Sequence, residues 1–377
     1  MKTNRLILST ALFLIAFMIQ SCDKTNVDKS TDNGILPERF KVDIPSSLSS
    51  DTKVKSSMLK SAQADTLKGN EIYGMLKVFI AIGEGAGDIV QGIIGAIVIY
   101  HIDKPVTISY ESNDDHRIKN LVVVENAEYN GRSWKYMLTI TDAQSESNAD
   151  GGKALQILWN PSPIEGIAII KPYNCDRVKN SASLEALYRI EYSEVPTLDY
   201  DSHMIVDIDN LPMPDPKVDQ FAVSTLKMFV GKKDDKVDVY GNTNHPNAKF
   251  FTNTTGFNWA FVASGYTKED IGVAEVGLPP STLDNSTRKV LLGDYSIKNV
   301  LTDQINQWFL TAFGVRPDAS DLAKLLKNAD APGFFNDGGF VQAGKSPDVK
   351  YDPLVTRIST LAPYNPKTLN DLTIEFK

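Results

Sequence analysis

Apolar and polar positions change period several times along this chain, and each change marks a different kind of element. Leu6 to Ile19 is an unbroken apolar or small run. From Glu71 to Tyr100 the chain is again almost wholly apolar, but it contains six glycines. Within that segment Lys77, Glu84, Asp88 and Gln91 fall on one helical stripe, opposite Ile72, Leu76, Phe79, Gly83, Ala86, Val90, Ile93 and Ile97. The spacing predicts a long, mostly buried helix, broken near Gly83–Gly87. Glycine weakens a helix, so Gly83, Gly87 and Gly92 predict close backbone approach.

From about residue 103 to 282 the period falls to two. Val106, Ile108 and Tyr110 alternate with polar neighbours, and Trp134, Tyr136, Leu138 and Ile140 do so after Asn130-Gly131, a strong hairpin signal. Further runs at Leu155–Trp159, Ile167–Ile170, Leu187–Tyr192, Met204–Ile208, Leu226–Val230, Val237–Tyr240, Trp259–Val262 and Ile271–Val276 bring the count to about ten strands. After Pro280 helical periods return at Asn285–Tyr295, Ile297–Phe313 and Asp321–Ala329, with a further helix from Pro353 and a closing alternation at Leu372, Ile374 and Phe376. The fold class expected is mainly β with helical additions (α+β). It is an antiparallel sandwich or barrel, with a buried Gly-rich helix before it and a small helical extension after it. The divisions fall at 1–21, 22–69, 70–102, 103–282 and 283–377.

Chemistry enters first at the N-terminus. Lys2 and Arg5 precede the apolar run, with no acid among the first five residues. A positive stretch followed by about 14 apolar residues is a signal-peptide pattern, short of the roughly 20 that span a bilayer core. The run ends Ile19-Gln20-Ser21-Cys22. That resembles the lipobox of bacterial lipoproteins, with Gln20 departing from the usual small residue. The resemblance implies cleavage before Cys22, lipid on its thiol, and residence in the cell envelope as an outer-membrane lipoprotein of a Gram-negative cell, facing either side. No resemblance covers the mature chain. Residues 23 to 69, rich in Ser, Thr, Asp and Lys, read as a tether of about 40 Å root-mean-square reach, and Phe40, Val42 and Ile44 alternate within it as a short docking strand.

Composition narrows the partners. The net charge is -8, and loss of Lys2 and Arg5 with the signal takes it to about -10, which argues against nucleic acid. Of two cysteines, Cys22 is assigned to the anchor. Cys175 is then alone and reads as a small buried hydrophobe, not a nucleophile.

Candidate chemistry is sparse. Glu146, Asn148 and Asp150 resemble the start of a Ca²⁺ loop, but the twelfth position is Ile157, where a bidentate Glu is needed. The four histidines lack metal-ligand spacing. Gly83-Glu84-Gly85-Ala86-Gly87 has glycines like a dinucleotide loop, but strands follow it where βαβ units are required. Asn242, Asn244, His245 and Asn247, with Tyr240 and Trp259 nearby, offer neutral hydrogen-bonding groups and aromatic faces suited to a glycan; Asn, Gly and Pro also make plain turns. No catalytic residue stands out. The expected function is a membrane-anchored, non-catalytic binding or adhesion module, with glycan as a ligand class. An envelope hydrolase acting on glycan or peptide is one alternative. Membrane insertion by residues 71–100 is another.

Overall fold

The structure is a computed structural model and describes residues 35–37, 39–49, 67–99 and 104–377. Cys22 and the signal segment lie outside the described residues, as does His101. The chain divides into two units. Of the described residues, one holds those up to Val42, those from Glu84 to Pro212 and the last five; the other holds those from Asp43 to Gly83 and from Met213 to Leu372. One helix, α1 (Gly69–Ile99), contributes its first half to the second unit and its second half to the first. It runs unbroken through Gly83–Gly87, where a break was expected.

The first unit is an antiparallel meander of seven strands: β1 (Val106–Glu111), β2 (Ile118–Tyr129), β3 (Arg132–Asp142), β4 (Lys153–Pro161), β5 (Ile164–Ile170), β6 (Leu187–Ser193) and β7 (Ser202–Asp209). Each pairs with the next in sequence. Asn130 and Gly131 both adopt positive φ, 50° and 71°, which gives the β2–β3 hairpin the turn its strand twist requires. Leu138, Ile157, Ala168 and Ile190 are wholly buried. The second half of α1 buries Ala86, Val90, Ile94 and Ile97. Its polar residues face the segment entering from residue 39. Lys41 pairs with Asp88 at 2.8 Å, and the Phe40 amide donates to Gln91 Oε1 at 3.0 Å. Phe40 lies where a side chain at Gly166 would collide with it, and its ring is 6.0 Å from Tyr192. The alternation at Phe40, Val42 and Ile44 therefore marks burial, although the backbone there is irregular.

The second unit is a six-strand antiparallel meander: β8 (Thr225–Lys233), β9 (Lys236–Lys249), β10 (Thr255–Tyr266), β11 (Ile271–Gly277), β12 (Gly333–Asn336) and β13 (Gly339–Ala343). Alternate residues of β10 point to opposite faces. Trp259 and Phe261 meet Phe79 of α1, with ring centroids 6.1 and 6.3 Å away. Ala260 and Val262 join a core with Leu291, Leu292, Leu354 and Ile358. Both faces are covered, so β10 is a near-continuous buried run instead of an alternating one.

The described strands thus number thirteen, against about ten expected, and neither meander closes on itself as a barrel. Two of the additional strands, β12 and β13, lie within the C-terminal stretch expected to be helical. They are short, and glycines flank their apolar residues, which hides the period of two. The rest of that stretch carries a π-helical turn at Lys289–Asp294, α3 (Ile297–Phe313), α4 (Ala319–Leu325), α5 (Asp352–Ile358) and α6 (Pro366–Asn370), after the single-turn α2 (Pro172–Cys175) of the first unit. Residues 373–377 form no strand, but they dock by hydrogen bonds: Lys377 N donates to Gln156 Oε1, and Tyr129 donates to Glu375 O.

Candidate functional site

The stretch 241–247, expected as a loop, is the second half of β9. Its turn-forming residues have other reasons to be there. A Cβ at Gly241 would stand 2.5 Å from the Phe261 ring and 2.7 Å from Lys227 O, so glycine lets the strand approach its neighbour. Pro246 sits beside the register shift between Thr255 and Phe257, beyond the last β8 partner at Asn244. A residue without an N–H is tolerated there.

Most of the hydrogen-bonding groups expected to meet a ligand are engaged inside the second unit. Asn242 is buried, donates to Tyr364 O at 2.9 Å and accepts from Asn258 at 2.9 Å. His245 is buried between Thr243 Oγ1, 2.7 Å from Nε2, and Phe221 O, 2.8 Å from Nδ1. Those partners fit a neutral ring that donates from Nδ1 and accepts at Nε2. Burial pushes its pKa down to about 3, only partly opposed by the Phe221 carbonyl. Trp259 is buried 4.2 Å from the His245 ring, and its Nε1 has no hydrogen-bond partner among the described residues. Tyr240 is half-buried, stacked on Phe229 at 4.7 Å with the tilted ring of Tyr364 at 5.4 Å. Asn244 accepts from Ser281, and both it and Asn247 are half-buried. These residues are neighbours, as expected, but β9 turns Asn242 and His245 inward, and Trp259 is buried on β10.

The three residues of the suggested Ca²⁺ loop also have protein partners. Glu146 accepts from Asn120 at 2.8 Å. The Asn148 amide donates to Ser145 O at 2.9 Å. Asp150 accepts from Lys171 at 2.8 Å, Asn174 at 3.0 Å and the Gly152 amide at 2.8 Å. Partial burial raises the Asp150 pKa, but the Lys171 bond and the others outweigh it and hold the carboxyl below its ordinary value. Ile157, at the twelfth position, is wholly buried in β4. No group of three His, Cys, Asp or Glu among the described residues is placed to hold a metal ion.

Beside that loop lies a buried ion network that sequence patterns do not announce. Asp142, at the end of β3, accepts from Arg117 at 2.6 Å, Arg177 at 3.2 Å and Lys119 at 3.3 Å. Lys119 also reaches Asp115 at 3.0 Å and Asn174 O at 2.8 Å. The participants come from three separate stretches, 115–119, 142 and 174–177, which is why no local motif reports them. Every carboxylate in it meets a cation, as a buried charge must. Nearby Cys175 points at Ala154 O, 3.4 Å away, and burial pushes its thiol up to about 12. That is the reverse of what a nucleophile needs.

The surface feature of note lies on α3. Ser296 caps its start, and Ile297, Leu301, Gln304 and Ile305 form its buried face. Gln304 Oε1 accepts from the Thr252 amide at 3.1 Å and from its hydroxyl at 2.6 Å, which fixes the base of the helix. Beyond Ile305 the apolar stripe continues through Trp308, Phe309 and Ala312, where cover among the described residues thins to Phe251 beside Trp308, 6.3 Å between ring centroids. Trp308, Leu310, Phe313 and Val315 are all exposed, Phe313 and Val315 at 60% and 61%. The rings form a cluster: Trp308 to Phe309 5.1 Å, Phe309 to Phe313 5.3 Å, Trp308 to Phe313 5.7 Å. Gly314, at φ 73°, ends the helix in the left-handed conformation and returns its amide to Leu310 O at 3.0 Å. Residues 304–315 contain no ionisable side chain. In sequence this stripe looks like any core-facing helix; the charge-free run was the available signal.

Comparison with protein-family models, curated proteins and solved structures returns no match for this chain.

Proposed function

We propose that this protein is an outer-membrane lipoprotein of the cell envelope, held by lipid on Cys22. Its folded body is a non-catalytic binding module whose contact surface is the tip of α3. The anchor rests on the signal pattern of residues 1–22. The binding reading is carried by one observation: an aromatic cluster, exposed at Trp308 and Phe313, at the end of a capped helix with a fixed base. Monomeric proteins seldom leave a contiguous apolar cluster uncovered unless something binds it. The glycan reading of residues 242–247 loses its best donors to the interior, so the contact surface is placed at the tip instead.

Helix α1 is long and apolar enough to cross a membrane by length and composition. Its apolar side chains, Ile72, Leu76, Phe79 and Ile80 in one unit and Ala86 and Val90 in the other, are instead buried against protein. Insertion would have to expose the sheet residues they cover, at about 25 cal/mol per Å².

Fractionation of cells expressing the full chain tests the anchor. The wild-type chain should sediment with membranes and resist a high-salt wash, and Cys22→Ala should be released or retain an uncut signal. A correctly cleaved Cys22→Ala protein that stays membrane-bound would contradict the reading.

A further inference from the structure

We propose that the tip of α3 is a docking peg for a lipid surface, inserting Trp308, Leu310, Phe313 and Val315 into the headgroup region of a zwitterionic bilayer. The proposal deepens the binding reading above, because it names the partner of that same tip.

Three observations favour lipid over a protein partner. The first is shape. From Gln307 to Arg316 every residue is exposed except the half-buried Phe309. Among the described residues the last turns are covered only on the side of Phe309 and where Trp308 meets Phe251, 6.3 Å between ring centroids, so the exposed feature is convex and not a flat face or groove. A deformable phase accepts such a peg without a matching pocket, whereas a protein partner must supply one. The second is charge. Residues 304–315 carry none, and the flanking Asp303 and Arg316 are of opposite sign. A tip without ionisable groups enters the interface without the penalty that charge meets there, and it gains nothing from anionic headgroups. Trp and Phe on a short rigid element suit the boundary between headgroup and acyl chain. The third is reach. The described chain begins at Ile35, thirteen residues after Cys22. Fully extended, that span covers about 45 Å. A body tethered at that length stays near the surface, whichever of its parts faces it, and that raises the effective concentration for insertion.

The tryptophans provide the readout. Trp134, Trp159 and Trp259 are buried at 1%, 0% and 0% exposure, and Trp308 is 39% exposed. Lipid-dependent quenching of tryptophan emission therefore reports on Trp308.

The test uses the mature chain carrying Cys22→Ala, mixed with phosphatidylcholine–phosphatidylethanolamine vesicles that bear brominated acyl chains. It omits the anchor, so its outcome does not depend on whether Cys22 is lipidated. The expected result is quenching that saturates with lipid, does not weaken with added salt, and vanishes in Trp308→Phe. Phe313→Ser should require about tenfold more lipid, as loss of a largely inserted aromatic side chain implies, while melting as the parent does. Leu310→Ser serves as a second variant should Phe313→Ser unfold. No quenching at any lipid concentration would overturn the proposal. So would quenching that needs anionic lipid and disappears with salt. Concentration-dependent self-association, abolished by Phe313→Ser and accompanied by no vesicle binding, would assign the tip to a second copy of the chain and likewise overturn it.

Discussion

His245 holds a neutral ring where water cannot reach it, between Thr243 and Phe221. With its folded pKa down near 3, below the ordinary 6.5, folding favours the unprotonated form. The stability this contributes is fully present above about pH 6.5 and is lost progressively as pH falls towards 3. Between about pH 7 and pH 5, where ordinary carboxylates scarcely titrate, the wild-type chain should lose ~2 kcal/mol through this group. Chemical denaturation at the two pH values, compared with His245→Gln, checks this: the variant should lack that part of the pH dependence. Equal slopes would show that the ring does not titrate as described. The same residue shows how far local sequence reaches. His245 could be placed near Trp259 from spacing alone, but its direction could not, because Gly241, Asn242 and Pro246 are equally at home in a turn. Contacts made across strands, Phe261 over Gly241 and Asn258 to Asn242, decide for a strand.

Helix α1 is the element on which glycine positions matter most. A Cβ at Gly92 or Gly95 meets nothing within 4 Å, whereas at Gly83 it would stand 2.1 Å from Met228 Cε. At Gly87 the nearest atom is Met204 Sδ at 3.5 Å, an ordinary contact. Close backbone approach was expected at Gly83, Gly87 and Gly92; at Gly83 the near atom is the end of the Met228 side chain, and at none of the three is it backbone. Gly92→Ala and Gly95→Ala should each raise stability by about 0.5–1 kcal/mol, the usual gain for replacing a helical glycine in open space. Gly277→Ala should do the opposite. Its Cβ would fall 1.8 Å from Leu291 O, a backbone atom that cannot rotate away, and overpacking of this kind costs about 1–3 kcal/mol. Melting curves of the three variants separate the cases, and a stabilised Gly277→Ala would contradict the packing of β11 against the Lys289–Asp294 turn. Elements with a plain period were legible. The alternations at 106–110 and 134–140 and the helical stretch 297–313 each lie in the element expected. Elements covered on both faces lost their period, and short ones such as β12 and β13 never had one to read.

At the scale of the whole chain, the class of fold was legible, because thirteen antiparallel strands follow one another in sequence order and leave hairpin signals between them. The ion network around Asp142 was not legible, since Arg117, Asp142 and Arg177 meet only after folding. Nor was the α3 tip: an apolar stripe does not record where its cover ends. The proposed function draws on two short regions, the cysteine at position 22 and the charge-free stretch 304–315. In that proposal the anchor is the more decisive of the two, for it would fix the compartment and bring the tip to a surface. The most direct measurement is the mass of the N-terminal peptide of the chain extracted from membranes. The account predicts a peptide that begins at Cys22 and carries a thioether-linked diacylglyceryl group. An unmodified Cys22, or a mature chain that begins at any other residue, would contradict it.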